Sequence, residues 1–233
     1  MSKWILNGNR PYWWSPMVMH KGLDQYPVTC ETGPGNPSGH CWIIATTVTF
    51  LLLQLNKNLK NDNVMKVCTL LTAVGFMAVA ISRCIIAAHF PHQVVLGLLA
   101  GIYCGRKCEW KMINVSRSYT FSVGCGLFCA GMGFYYVINN ILKFDINWSV
   151  SLAELYCKKL SWVRKSTLPL TSIVRTSICV MAYAIFHDKQ YTKPVGNLPI
   201  NIIVTIVGER LLGRFIKVVE ENDTKFNMYI MYS

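Results

Sequence analysis

Five side chains that could bind and transfer a phosphoryl group lie in three short stretches of the first part of the chain. Three are the cations Lys3, Arg10 and Arg83, and two are the histidines His40 and His89. A phosphoryl group in transfer spreads negative charge over three equatorial oxygens, so it needs fixed positive donors and one reacting group on each side of the reaction axis. Arginine suits this task because its planar guanidinium can donate to two phosphate oxygens at once. These residue types predict a phosphate site with the two histidines as its axial pair.

The residues just before His40 add further possible phosphate ligands. Prolines and glycines over 33–37 predict a turn that delivers Ser38 and His40 to the start of a helix. The start of a helix offers free backbone N–H groups, such as that of Gly39, which can bind an anion together with the Ser38 hydroxyl. Serine in this position more often caps the helix. The two roles are compatible, because both bring polar groups to the same end of the helix.

Structural explanations also exist for several of these residues. Lys3 and Arg10 could be interfacial cations whose aliphatic stems lie along apolar surface. His89 could be a structural histidine in a short loop, and His92 is a neighbour with which it could be confused. Arg83 is the hardest to explain without a function, because a charged arginine in an apolar segment is costly unless it faces a polar cavity or a partner.

The elements that must position these residues are apolar helices. Hydrophobic residues make up 52% of the 233 positions and charged residues 15%, which is typical of a membrane protein rather than of a soluble domain. Six apolar segments approach spanning length, and the last contains Glu209 and Arg210, so five are predicted more firmly than the sixth. The segments are Cys41–Leu55, Val67–Ile81, Val94–Cys104, Phe121–Leu142, Ile173–Phe186 and Ile200–Leu212. The predicted fold class is all-α, a polytopic transmembrane helical bundle.

The charge and the cysteines exclude other classes of site. The formal net charge is +12, but most lysines and arginines fall between the apolar segments, as loop charges that orient membrane helices do. The sequence contains no Arg-rich tail, zinc-finger spacing or RNA-binding aromatic motif, so no nucleic-acid partner is expected. The ten cysteines include no C-x-x-C pair, and we expect no metal site and no cofactor.

The three stretches resemble the three-part signature of the type 2 phosphatidic acid phosphatase superfamily. They read K-x6-R-P at Lys3–Pro11, PSGH at Pro37–His40 and SR-x5-H at Ser82–His89. Their flanks RPYWW, CETGPGNPSGH and AAHFPHQVVLG are similar to the glucose-6-phosphatase branch. The resemblance is close over residues 1–105 and loose to about 165. We therefore expect a phosphatase core at 1–105, further transmembrane helices at 106–212 and a divergent polar tail at 213–233.

The resemblance implies a reaction and a role for each site residue. It implies hydrolysis of glucose 6-phosphate, in glucose homeostasis, with His89 as the nucleophile that forms a phosphohistidine and His40 as the general acid and base. The phosphate oxygens would be bound by the cations and by the start of the helix. These ligands are Lys3, Arg10, Ser38, Gly39 and Arg83.

One position departs from the broader superfamily. Many members carry an aspartate four residues after the nucleophilic histidine, where this chain has Gln93. The glucose-6-phosphatase branch shares this glutamine, so Gln93 is a possible orienting residue for His89.

The resemblance also implies a location and partners. It predicts a multi-pass protein of the endoplasmic reticulum membrane, with the site facing the lumen, membrane lipid around it and possibly a glucose-6-phosphate transporter as partner. The sequence has three glycosylation sequons, at Asn114, Asn147 and Asn222. Of the first two, Asn147 is the expected acceptor because two further crossings return it to the lumen, whereas the side on which Asn222 lies depends on the sixth apolar segment. Since family members carry membrane helices before this region, the chain is expected to be truncated at both ends.

Three other hypotheses remain open. A related sugar-phosphate or lipid-phosphate phosphatase of the same superfamily would keep the signature residues, although the flanking sequences argue against a lipid substrate. An inactive truncated form would keep them too. A channel or transporter is supported by the apolar segments alone, since the sequence lacks a paired half-helix pattern.

Overall fold

Helices form the regular structure of the computed structural model, which describes residues 2–59, 61–108, 116–164 and 168–186. No strand occurs among these residues, so the predicted all-α class is confirmed. The helices are α1 (Ser2–Leu6), α2 (Pro11–Val18), α3 (Gly39–Asn58), α4 (Asp62–Ile85), α5 (Pro91–Lys107), α6 (Arg117–Tyr136), α7 (Trp148–Tyr156) and α8 (Pro169–Phe186). A π-helical turn, Val137–Ile141, follows α6, and a 3₁₀ turn spans Leu160–Trp162.

The chain forms two compact units. The first comprises residues 1–113 and 146–164, and the second comprises 114–145 and the residues from 165 onward. Several predictions lie outside the described residues. These are the sequons at Asn114 and Asn222, the sixth apolar segment Ile200–Leu212 and the tail at 213–233.

All five apolar segments predicted more firmly are helical, and three of the helices are long and apolar enough to cross a membrane. These are α3, α4 and the run Arg117–Ile141. Helix α4 has no buried residue, and its apolar side chains are exposed along its length, as expected of a helix that faces lipid. Helix α5, with 17 residues, is about 25 Å long and falls short of the ~30 Å hydrocarbon core. Helix α8 is apolar but also short.

A stripe of glycines lets α5 pack directly on α3. Gly97, Gly101 and Gly105 recur at four-residue spacing, so they lie on one face of α5. A Cβ atom added at Gly101 would lie 2.5 Å from the carbonyl oxygen of Trp42, and one at Gly97 would lie 2.6 Å from that of Ser38. Such contacts exclude any side chain. The stripe therefore fixes the start of α3 beside the start of α5.

The loop between α2 and α3 is held against the rest of the first unit. Tyr12 and Trp13 of α2 are completely buried, and the Trp13 ring meets the ring of Trp148 in α7 edge to face. A disulfide joins Cys30 of the loop to Cys157, which follows α7. These contacts fix the position of the loop, which is rich in proline and glycine.

In the second unit, α6 packs against α8. Glycines again allow the approach: a Cβ atom at Gly124 would lie 2.5 Å from the Met181 side chain, and one at Gly131 would lie 2.7 Å from that of Ile173. The predicted site residues all belong to the first unit.

Candidate active site

The ends of helices carry the predicted site residues and bring them together. Ser38 is the N-cap of α3, and its backbone N–H donates to the carbonyl of Gln93 at 3.0 Å. Lys3 lies over the same helix start, since a Cβ atom on Gly39 would be 3.7 Å from its ammonium nitrogen. The full set comprises Lys3 on α1, Arg10 before α2, Ser38, Gly39 and His40 at the start of α3, Arg83 in the last turn of α4, and His89 and Gln93 around the start of α5.

A tight turn connects Arg83 to His89. Helix α4 ends at Ile85, and the Arg83 carbonyl accepts from the backbone N–H groups of Ala88 and His89 at 3.2 and 3.3 Å. Ala87 sits within the turn at φ 54°, a left-handed conformation that is uncommon for residues other than glycine. The turn buries His89, whose exposed fraction is 1%.

The Arg10 side chain donates hydrogen bonds to several backbone carbonyls around the site. Its Nε donates to the Gly33 carbonyl at 2.6 Å, its Nη1 to the Ala88 carbonyl at 3.1 Å and its Nη2 to the Pro34 carbonyl at 3.4 Å. The Nη2 atom also lies 2.9 Å from the carboxylate of Glu31. These contacts engage four of the five guanidinium N–H donors. Arg10 thus holds the loop against the turn that carries His89, and one N–H is left for a ligand.

Gln93 determines which nitrogen of His89 carries the proton. The amide nitrogen of Gln93 donates to the Asn9 carbonyl at 2.6 Å, and its oxygen accepts from the Phe90 backbone N–H at 3.2 Å. The oxygen lies 3.3 Å from Nδ1 of His89, so Nδ1 must be the protonated nitrogen. This leaves the Nε2 lone pair available for reaction. By contrast, His92 is exposed and its ring stacks on Phe90.

Three buried polar atoms of the site have no hydrogen-bond partner among the described residues. They are the Ser38 hydroxyl, Nε of Arg83 and Nε2 of His89. Ser38 occupies the N-cap position, yet its hydroxyl makes no capping bond. Buried polar groups without partners are costly and call for an explanation. A bound phosphate would supply acceptors for the hydroxyl and the guanidinium and an electrophile for the imidazole.

Burial and positive charge keep the nucleophile candidate neutral. Burial lowers the pKa of His89 to about 2, and the charges of Arg10 and Lys3 act in the same direction. Burial also lowers the pKa of Lys3 to about 8, with Arg10 again contributing. His89 is therefore a neutral imidazole at neutral pH, with its one ring proton on Nδ1, while Lys3 remains mostly charged.

Glu31 is a member of the site that the sequence interpretation missed. Its side chain is buried, with one carboxylate oxygen 2.9 Å from Arg10 and the other 3.6 Å from Nδ1 of His40. Burial by itself would raise the pKa of Glu31, but Arg10, Lys3 and the two histidines lower it to about 2. The available signal was an acidic residue a short way before the PSGH motif, in a chain with only 11 acidic residues.

The disulfide was missed as well. Seven of the ten cysteines lie in or beside apolar runs, which leaves Cys30, Cys108 and Cys157 as polar-region cysteines. Cys108 is a free, exposed thiol, and the other two form the bridge. Just beyond it, the backbone N–H of Arg164 donates to the Cys30 carbonyl at 2.9 Å. Residues 146–164 therefore support the loop that carries Glu31.

Comparison with protein families assigns the first part of the chain to a known superfamily. Residues 1–114 match the model of the PAP2 superfamily, and the helical fold fits that match. The chain therefore carries a PAP2 superfamily domain. No solved structure gives a significant match to the chain.

Curated relatives narrow the assignment. The chain is 34% identical over 191 residues to the glucose-6-phosphatase catalytic subunit 1 of Canis lupus familiaris, covering 74% of this chain and 53% of the relative. It is 33% identical over 209 residues to human glucose-6-phosphatase 3, covering 82% and 58%. These identities fit the glucose-6-phosphatase family, as the resemblance of the motifs predicted. The chain spans about half the length of the curated relatives that it matches.

Proposed function

We propose that this chain is the catalytic part of a membrane phosphohydrolase that cleaves glucose 6-phosphate into glucose and phosphate. The main supporting observation is the group of buried atoms without partners at Ser38, Arg83 and His89. The Ser38 hydroxyl and Nε of Arg83 can each donate to a phosphate oxygen, and Nε2 of His89 can attack the phosphorus atom. The printed names of the relatives support the choice of substrate.

The reaction has two steps. Nε2 of His89 attacks phosphorus in line with the bond to the sugar oxygen, that bond breaks, and His40 gives its proton to the departing oxygen. The product of this step is a phosphohistidine and a free sugar. Water then attacks phosphorus, His40 takes a proton from the water, and the bond between phosphorus and His89 breaks to release phosphate.

Fixed donors stabilise the charge that develops on the transferring group. Lys3, Arg83, the Ser38 hydroxyl and the Gly39 N–H bind the equatorial oxygens. Arg10 contributes through its charge, through its remaining N–H and by holding the loop in place. Gln93 keeps His89 in the reactive tautomer.

The location we propose is the endoplasmic reticulum membrane, with the site on the lumenal side. The disulfide Cys30–Cys157 adjoins the site, and disulfides persist in oxidising compartments. Helix α3 starts at the site and α4 returns to it, as two consecutive crossings would. A lumenal site requires a sugar-phosphate transporter to deliver the substrate, and membrane lipid surrounds the helices.

The function can be tested with membranes that contain the chain. We expect phosphate release from glucose 6-phosphate that is lost in His89→Ala and retained in His92→Ala, the matched control on the exposed neighbour. In sealed vesicles the activity should rise when detergent admits the substrate to the lumen. Equal background from His89→Ala and the unmutated chain, with both present in the membrane, would refute the proposal. Faster release from phosphatidic acid would reassign the substrate to lipid phosphates.

A further inference from the structure

Glu31 is held so that its two carboxylate oxygens serve different partners. Its backbone forms a bridge with Arg164, and its carbonyl accepts from the Tyr12 hydroxyl at 2.9 Å. With the backbone fixed, Oε2 meets Nη2 of Arg10 at 2.9 Å and Oε1 lies 3.6 Å from Nδ1 of His40. The ion pair with Arg10 thus aims the second oxygen at His40.

A carboxylate in this position needs a functional explanation. The surrounding cations suit a phosphate, and a buried negative charge beside them weakens the binding of any anion. Arg10 already donates to three backbone carbonyls, so the loop has other anchors. Those hydrogen bonds of Arg10 hold the loop, but among the described residues only Glu31 supplies a carboxylate beside His40.

We propose that Glu31 is a positioning residue for His40 in the first chemical step. This role rests on the proposed function. Glu31 lies within ion-pair distance of Nδ1 of His40, at 3.6 Å, and keeps the Nδ1–H directed at its carboxylate, so that the proton for the leaving group sits on Nε2. That proton moves to the sugar oxygen as the bond between phosphorus and this oxygen breaks, and Nδ1–H stays directed at Glu31.

The partners of the two histidines suit their opposite protonation states. His89 must present a lone pair, and the uncharged amide of Gln93 fixes its tautomer. His40 must hold two protons before it can act as an acid, and a carboxylate favours that charged form. The cations that face His40 are Lys3 of α1, Arg10 before α2 and Arg83 of α4. Burial and all three cations oppose the charged imidazole, and Glu31 is the group that acts in the other direction.

The test compares leaving groups in Glu31→Gln. A sugar alkoxide needs a proton to leave, whereas the phenolate of p-nitrophenyl phosphate leaves without one. The value of kcat/KM reports the steps up to release of the alcohol. We expect Glu31→Gln to lower kcat/KM for glucose 6-phosphate about 100-fold and to leave that for p-nitrophenyl phosphate within about fivefold. The aryl phosphate activity also shows that the variant has folded.

Two comparisons isolate the role. His40→Ala should show the same dependence on the leaving group, and adding Glu31→Gln to it should cause little further loss, because both changes remove the same proton donation. Glu154→Gln, a change of an exposed carboxylate in α7, is the matched control and should be neutral.

Each contrary outcome has a distinct meaning. Equal losses on both substrates, or additive losses in the double variant, would make Glu31 merely structural and overturn the role. A lower KM with unchanged kcat would also overturn it, because the carboxylate would then affect anion binding alone. An unmutated chain that is inactive on both substrates would refute the proposed function itself, and the role of Glu31 with it.

Discussion

Replacing Gln93 with leucine tests how the nucleophile is oriented. Gln93 is buried and makes contacts with three polar groups, the Phe90 N–H, the Asn9 carbonyl and Nδ1 of His89. Leucine has a similar volume but no polar atoms, so each group would lose its partner. At about 1 kcal/mol for each group, the low end of the usual range, the free energy of unfolding should fall by about 3 kcal/mol.

The effect on the rate follows from the contact with His89 alone. Without an acceptor at Nδ1, the imidazole can adopt the tautomer that protonates Nε2, and its ring is no longer held. A lost partner worth about 1.4 to 2.8 kcal/mol corresponds to a rate lower by about 10- to 100-fold. Since the nucleophile acts on every substrate, glucose 6-phosphate and p-nitrophenyl phosphate should lose the same factor, unlike the split expected for Glu31→Gln.

The assay measures kcat/KM on both substrates at a temperature where the variant is folded, with a thermal melt as the check. Gln54→Leu, in the second half of α3, is the matched amide-to-leucine control. A folded Gln93→Leu enzyme within threefold of the unmutated rate would refute the tautomer argument. A loss confined to the sugar phosphate would refute the assignment of Gln93 to the nucleophile.

Three further predictions concern charge, packing and the disulfide. Because the pKa of Lys3 is lowered to about 8, Lys3 loses its charge as the pH rises from 7 to 9, and KM for the phosphate dianion should rise by up to about tenfold. In Lys3→Arg the charge persists, and a pH series of KM should be flat. Gly101→Leu would place atoms 2.5 Å from a backbone carbonyl of α3, so a thermal melt should show a loss of about 3 kcal/mol or more, whereas Gly75→Leu, in open space on α4, should melt normally. Reducing agent should lower the melting temperature of the unmutated chain but leave Cys157→Ser, which lacks the bridge, unchanged.

The elements of the fold could be predicted because their signals are local. Apolar runs gave the helices, and the turn residues before Ser38 gave the start of α3 at Gly39. Three cations and two histidines in family motifs could be assigned to one site in advance, although their roles stay predictions. Glu31 and the disulfide could not be found this way. The two cysteines of the disulfide are 127 positions apart in the chain, and no local spacing encodes such a pairing. Glu31 is closer in sequence to its partners Arg10 and His40, but only the fold brings the three side chains together.

In the proposed mechanism, the same cations serve both the binding of phosphate and the reactivity of His89. In the free protein, Lys3 and Arg10 add to burial in lowering the pKa of His89 to about 2, so protonation never competes with nucleophilic attack at physiological pH. A phosphate dianion would cancel much of this positive field when it binds. The imidazole becomes positively charged as it takes the phosphoryl group, and the bound oxygens then stabilise that charge. A site with fewer cations would bind phosphate less tightly and would lower the pKa of His89 less. In this proposal one electrostatic arrangement has two effects: the cations bind the phosphate and, together with burial, keep His89 in its neutral, nucleophilic form.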